Sequence, residues 1–85
     1  MQCQEFKECS KEFLTYLEVQ KGLTYNTVHS YELDLNQFST FWTTEKKDIE
    51  LKEIIPKFFI FLYNNKIKTS SIARKVSCLK SFERF

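Results

Sequence analysis

The sequence predicts an all-α fold, a compact four-helix bundle forming a single domain over residues 1–85, and three observations carry that expectation. Apolar residues recur at helical spacing in four separate segments, so each segment can turn one face to a core. A single Gly and a single Pro leave too few turn residues for a many-stranded β-fold, which needs them about every 8–12 positions. Apolar residues make up 42% of the chain and aromatics 16%, nine of them Phe, so a core can close despite the small size. The helices are expected at about 3–20, 24–43, 53–65 and 69–84.

In the first helix Phe6, Cys9, Phe13, Leu14 and Leu17 form the apolar face, and Glu5, Lys7, Glu8, Lys11 and Glu12 lie elsewhere. Gly22 then supplies the left-handed residue that commonly ends a helix. Thr24 is placed to cap the second helix, which carries Val28, Tyr31, Leu35, Phe38, Phe41 and Trp42 inward. Its first turns are polar and uncharged, and a charged connector, Thr44 to Glu50, follows it. The third segment, LKEIIPKFFIFLYNN, is the most apolar. Proline is tolerated in a first turn, so regular helix is expected to begin between Lys52 and Ile55, close to Pro56.

The fourth helix sets Ile72, Val76, Leu79 and Phe82 on a core face and Arg74, Lys75, Lys80 and Arg84 between them, with Thr69 as the expected N-cap. Charge is concentrated here. Residues 1–65 carry seven Lys or Arg against ten Asp or Glu, a net of −3, whereas residues 66–85 carry six against one, a net of +5. Such clustering is the electrostatic footprint expected of a nucleic-acid surface, and a solvated helix face or an anionic protein partner would produce it too; the free N–H groups of a first turn rich in Thr and Ser also suit a phosphate oxygen.

Other chemistries find little support. Cys3, Cys9 and Cys78 are odd in number and lack C-x-x-C spacing, and His29 is the lone histidine, so no disulfide framework, metal site or cofactor is indicated. No Ser, His and Asp arrangement suggests a triad, and no catalytic residue is assigned. No run of about 18 apolar residues and no signal-peptide pattern appears, so a cytoplasmic location with no membrane partner is expected.

The ordered set FLTYLEVQKGLTYNTVHSYELDLNQFSTF and FFIFLYNNKIKTSSIARKVSCLKSF resembles the N-terminal core-binding, SAM-like domain of tyrosine recombinases, most closely the Xer and phage-type integrases. The resemblance rests on Phe13, Leu14, Tyr16, Leu17, Gly22, Thr24, Asn26, Thr27, Tyr31, Asp34, Leu35, Phe38, Leu62, Ser71, Arg74, Ser77, Leu79, Lys80 and Phe82. Pro56 and Glu83 depart from the family pattern. The resemblance implies a domain that clamps one side of a double-stranded DNA recombination site while a C-terminal catalytic domain, absent from this chain, cleaves and rejoins strands through a tyrosine. The implied partners are duplex DNA, that catalytic domain and other recombinase protomers, and this fragment by itself is not expected to be an enzyme. Helices two and four of the family cross the major groove. The candidate DNA-binding residues are therefore Thr24, Asn26, Thr27, Ser30 and Tyr31 on helix two, with Thr69, Ser70, Ser71, Arg74, Lys75, Ser77 and Lys80 on helix four. Asp34 is expected to accept a hydrogen bond or pair with a basic side chain. Two other readings stand beside this one: a helical protein interaction module using the Phe-rich third helix as a groove, and a helix-turn-helix regulator with NNKIK as its turn.

Overall fold

The computed structural model describes residues 1–45 and 48–85; Lys46 and Lys47, in the expected connector, lie outside the described residues. The helices are α1 (Cys3–Val19), α2 (Tyr25–Glu45), α3 (Leu51–Asn64) and α4 (Thr69–Arg84). Among the described residues all regular secondary structure is helical. The second helix is the hub, since α1, α3 and α4 each pack against it.

Local chemistry sets the boundaries. Gly22 has φ +63°, and Leu23 beyond it returns its N–H to the Leu17 carbonyl at 3.1 Å, closing α1. Thr24 caps α2 as expected: its Oγ1 accepts the Thr27 N–H at 3.4 Å, and its carbonyl accepts that of Val28 at 3.0 Å.

The expectation for α3 is corrected. The helix starts at Leu51, ahead of the expected window, because Glu50 stands extended before it and its carbonyl accepts the N–H groups of both Glu53 and Ile54. The Leu51 N–H is taken by the Met1 carbonyl at 3.1 Å. Pro56 thus falls in the second turn and denies the Lys52 carbonyl its helical donor. Both residues are exposed, so water can take the vacant carbonyl.

The end of α3 is a Schellman motif: Ile67 N–H reaches the Leu62 carbonyl at 3.2 Å, and Lys66 N–H reaches that of Tyr63 at 3.1 Å. The motif requires a left-handed residue, which here is Lys66 at φ +58°. A side chain with a Cβ is strained in that region. Lys66→Gly is therefore expected to stabilise the fold by about 0.5–1 kcal/mol, read as a higher urea midpoint with an unchanged slope. An unchanged or lower midpoint would contradict this account of the turn.

The core is aromatic and continuous across the helices. Phe6 of α1 meets Phe38, Trp42 and Phe82 at ring-centroid distances of 5.1, 5.7 and 4.7 Å, and Phe38 meets Phe58 of α3 at 5.1 Å. All but Phe82 of these rings are fully buried. Trp42 donates its indole N–H to the Ile49 carbonyl at 2.9 Å, so its one polar group is satisfied.

Candidate nucleic-acid interface

The basic helix is fastened to α2 by a three-residue ion cluster. Asp34, only 3% exposed, accepts from Arg74 Nε and Nη2 at 3.0 Å each, and from Lys75 Nζ at 2.7 Å. One turn further, the Cys78 thiol lies 3.9 Å from the Tyr31 carbonyl. The pairings 34 with 74 and 31 with 78 run α2 and α4 antiparallel.

Lys75 is the main departure among the expected DNA contacts. Its side chain is 10% exposed, and the buried stripe of α4 is Lys75, Cys78, Leu79 and Phe82, with Ile72 and Val76 only half-buried. The physical reason lies in helical phase: Lys75 stands one turn before Cys78 and Leu79, so it points inward and needs a carboxylate there. Its ammonium is engaged with Asp34 inside the bundle, away from the surface it was expected to line.

Arg74, beside it, keeps 47% of its side chain exposed. Its pKa is raised, chiefly by the hydrogen bonds to Asp34 and then by that carboxylate's charge. Asp34 engages the Nε and Nη2 side of the guanidinium, and the Nη1 edge has no partner among the described residues. Burial pushes the Cys78 thiol up to about 12, with the Asp34 charge adding to it, so this cysteine stays a protonated core residue.

Around Arg74, Ser70 lies one turn before and Ser77 one turn after, both exposed, and Lys80 is exposed further along; Ser71 is half-buried. On α2, Thr27 and Ser30 share the stripe of Asp34, two turns and one turn toward the helix start. Thr27 and Asn26 are exposed, Ser30 is half-buried, and Tyr31 is half-buried against the core. Because the helices are antiparallel, the start of α2 lies beside the end of α4. Tyr31 and Leu23 share a surface hollow of about 300 Å³ with Ser81, Arg84 and Lys21. Thr69, Ser70 and Ser71 sit at the opposite end of the α2–α4 seam, and Arg74 lies between the two groups of candidates.

Some hydroxyls are already engaged. Thr24 Oγ1 and Thr27 Oγ1 are 3.0 Å apart and share a hydrogen bond. The cap of α4 is Lys68, not Thr69, and no side chain caps that terminus, so the Thr69, Ser70 and Ser71 amides lack side-chain acceptors. His29 lies on the opposite side of α2 from Thr27, stacked on Tyr25 at 5.7 Å and 3.4 Å from Glu32. Lys21 is a basic neighbour that the sequence reading missed. In sequence it belongs to the acidic portion, and folding brings it to Arg84, with its ammonium 6.0 Å from the Tyr16 ring.

Among the described residues no group of three or more His, Cys, Asp or Glu side chains is placed to hold a metal. Among them, too, no helix is long and apolar enough to cross a membrane.

Comparison with known proteins agrees with this architecture. Residues 11–85 match the family described as phage integrase, N-terminal SAM-like domain. The tyrosine recombinase XerC of Herpetosiphon aurantiacus is 38% identical over 80 residues, covering 85% of this chain and 24% of that protein. XerC of Chlorobaculum tepidum is 37% identical over 83 residues, covering 87% and 25%, and the tyrosine recombinase XerD of Staphylococcus saprophyticus is 31% identical over 78 residues, covering 88% and 26%. The chain thus spans about a quarter of the length of these relatives. No solved structure matches it. With four helices bundled among the described residues and a family match over residues 11–85, the chain belongs to the N-terminal SAM-like domain family of phage integrases.

Proposed function

We propose that this chain is a duplex-DNA-binding domain of a site-specific tyrosine recombinase, gripping the recombination site while a catalytic domain outside this chain cleaves and rejoins the strands. The observation that carries the reading is the seam of α2 and α4. A half-exposed arginine is braced there by a buried carboxylate, serines flank it, and the charge of residues 66–85 is +5. Arginine in such a setting suits bidentate contact with phosphate, and serine hydroxyls and helix-terminal amides hold the backbone without reading sequence. Arg74, Ser70, Ser77, Lys80, Thr69 and Ser71 on α4, with Asn26, Thr27 and Ser30 on α2, form the proposed contact set.

Titrating isotope-labelled protein with a short mixed-sequence duplex at low salt tests this. Amide shifts concentrated in residues 24–31 and 69–84, and reversed by added salt, are the expected outcome. Each phosphate neutralised should contribute about −0.9 to the slope of log K against log salt. The outer side of α3 carries a second reading, because Ile60 and Tyr63 are 61% and 78% exposed and could meet a protein partner. Absent shifts, or shifts confined to α3 and insensitive to salt, would replace DNA binding with that alternative.

A further inference from the structure

We infer that Asp34 is a positioning residue for DNA contact, holding the Arg74 guanidinium with its free edge outward, and that buried Lys75 is there to make that brace electrostatically compatible with a phosphate. This rests on the DNA-binding reading above and goes beyond it by naming the parts that set the geometry of its central contact.

Three observations converge. The carboxylate is 3% exposed and grips Arg74 through Nε and Nη2 together, which fixes the guanidinium plane as a single hydrogen bond would not. A lone Asp34 would cancel the charge of Arg74, leaving no net attraction for an anion. Lys75, with Nζ 2.7 Å from Oδ1, neutralises the carboxylate from the core side, so the cluster keeps one net positive charge, carried by its only half-exposed member. Among the described residues the ionisable groups acting on Arg74 are Asp34 from α2 and, from its own helix, Cys78, which is held as a neutral thiol, while Lys75 is linked to it through the shared Asp34 carboxylate. A braced arginine gives up little side-chain freedom on binding, and that is where its affinity advantage arises.

The test is a double-mutant cycle in the 85-residue chain between Arg74→Ala and the paired change Asp34→Asn with Lys75→Met. The paired change leaves net charge unaltered, so long-range attraction to DNA is preserved, and it leaves no unpaired charge buried. Arg74→Ala is expected to weaken binding to a mixed-sequence duplex about tenfold or more at low salt. The paired variant should lose most of the same factor while retaining Arg74, and the two together should lose little beyond either. A folded paired variant that binds like wild type while Arg74→Ala does not would overturn the positioning role and leave the DNA reading intact. If Arg74→Ala binds like wild type, the positioning role falls even though binding by the domain stands, whereas failure of the wild-type chain to show any salt-sensitive binding removes both.

A second measurement applies if the paired variant does not fold. The Arg74 Nε–Hε signal of wild-type protein should exchange with water far more slowly than that of Arg84, with and without duplex. Equal exchange in the two arginines would overturn the proposal.

Discussion

Phe38→Ala is expected to cost the domain about 3–5 kcal/mol, enough to leave much of the population unfolded at moderate temperature. The ring is fully buried and touches Phe6 of α1, Trp42 one turn on in α2 and Phe58 of α3, so its loss opens a cavity where three helices meet. A domain of this size has a total stability of about 4–13 kcal/mol at typical values per residue. One truncation therefore removes roughly a quarter of the margin at least. Phe61, 39% exposed at the edge of the same aromatic row, should by contrast cost about 1 kcal/mol or less when cut to Ala. Urea unfolding followed by far-ultraviolet circular dichroism checks both, and comparable losses at Phe38 and Phe61 would contradict a core centred on α2.

Much of this arrangement is legible in the sequence, and what escapes has identifiable causes. Phe6, Phe13, Leu35, Phe38, Phe58 and Phe82 follow helical periods that one strand of text displays directly, and all are buried. Gly22 and Thr24 mark the turn between α1 and α2 because their roles are local. The start of α3 at Leu51 escapes the proline rule because the Leu51 N–H is held by the Met1 carbonyl, a contact from the far end of the chain with no local trace.

The inward direction of Lys75 is set by its helical phase, which its residue type conceals. This lysine stands one turn before Cys78 and Leu79 just as Asp34 stands one turn before Phe38, and two opposite charges at core phases on different helices are the trace an internal ion pair leaves in a sequence. The antiparallel seam of α2 and α4, which separates the Thr24 and Thr69 ends of the candidate surface, is a tertiary fact with no local signature.

The larger electrostatic effect should come from Asp34→Ala, expected to destabilise by about 3–5 kcal/mol, because it leaves the buried Lys75 ammonium facing a vacated site. Arg74 can turn into water, being half exposed, so its loss of the carboxylate costs far less. The stability order should therefore be Asp34→Ala worst, Lys75→Ala intermediate and Arg74→Ala mildest, since the last leaves Asp34 still paired with Lys75. For DNA affinity in variants that remain folded, Arg74→Ala should instead be the most damaging. Opposite rankings for stability and binding separate the two duties of one cluster: Asp34 and Lys75 fasten α4 to α2, and Arg74 carries the charge outward. An apolar replacement, Asp34→Leu with Lys75→Met, should recover most of the lost stability, because the desolvation of two ions no longer has to be offset. Denaturant midpoints across this series decide the matter: if the apolar pair is as unstable as Asp34→Ala, the cost lies in packing and not in the stranded charge.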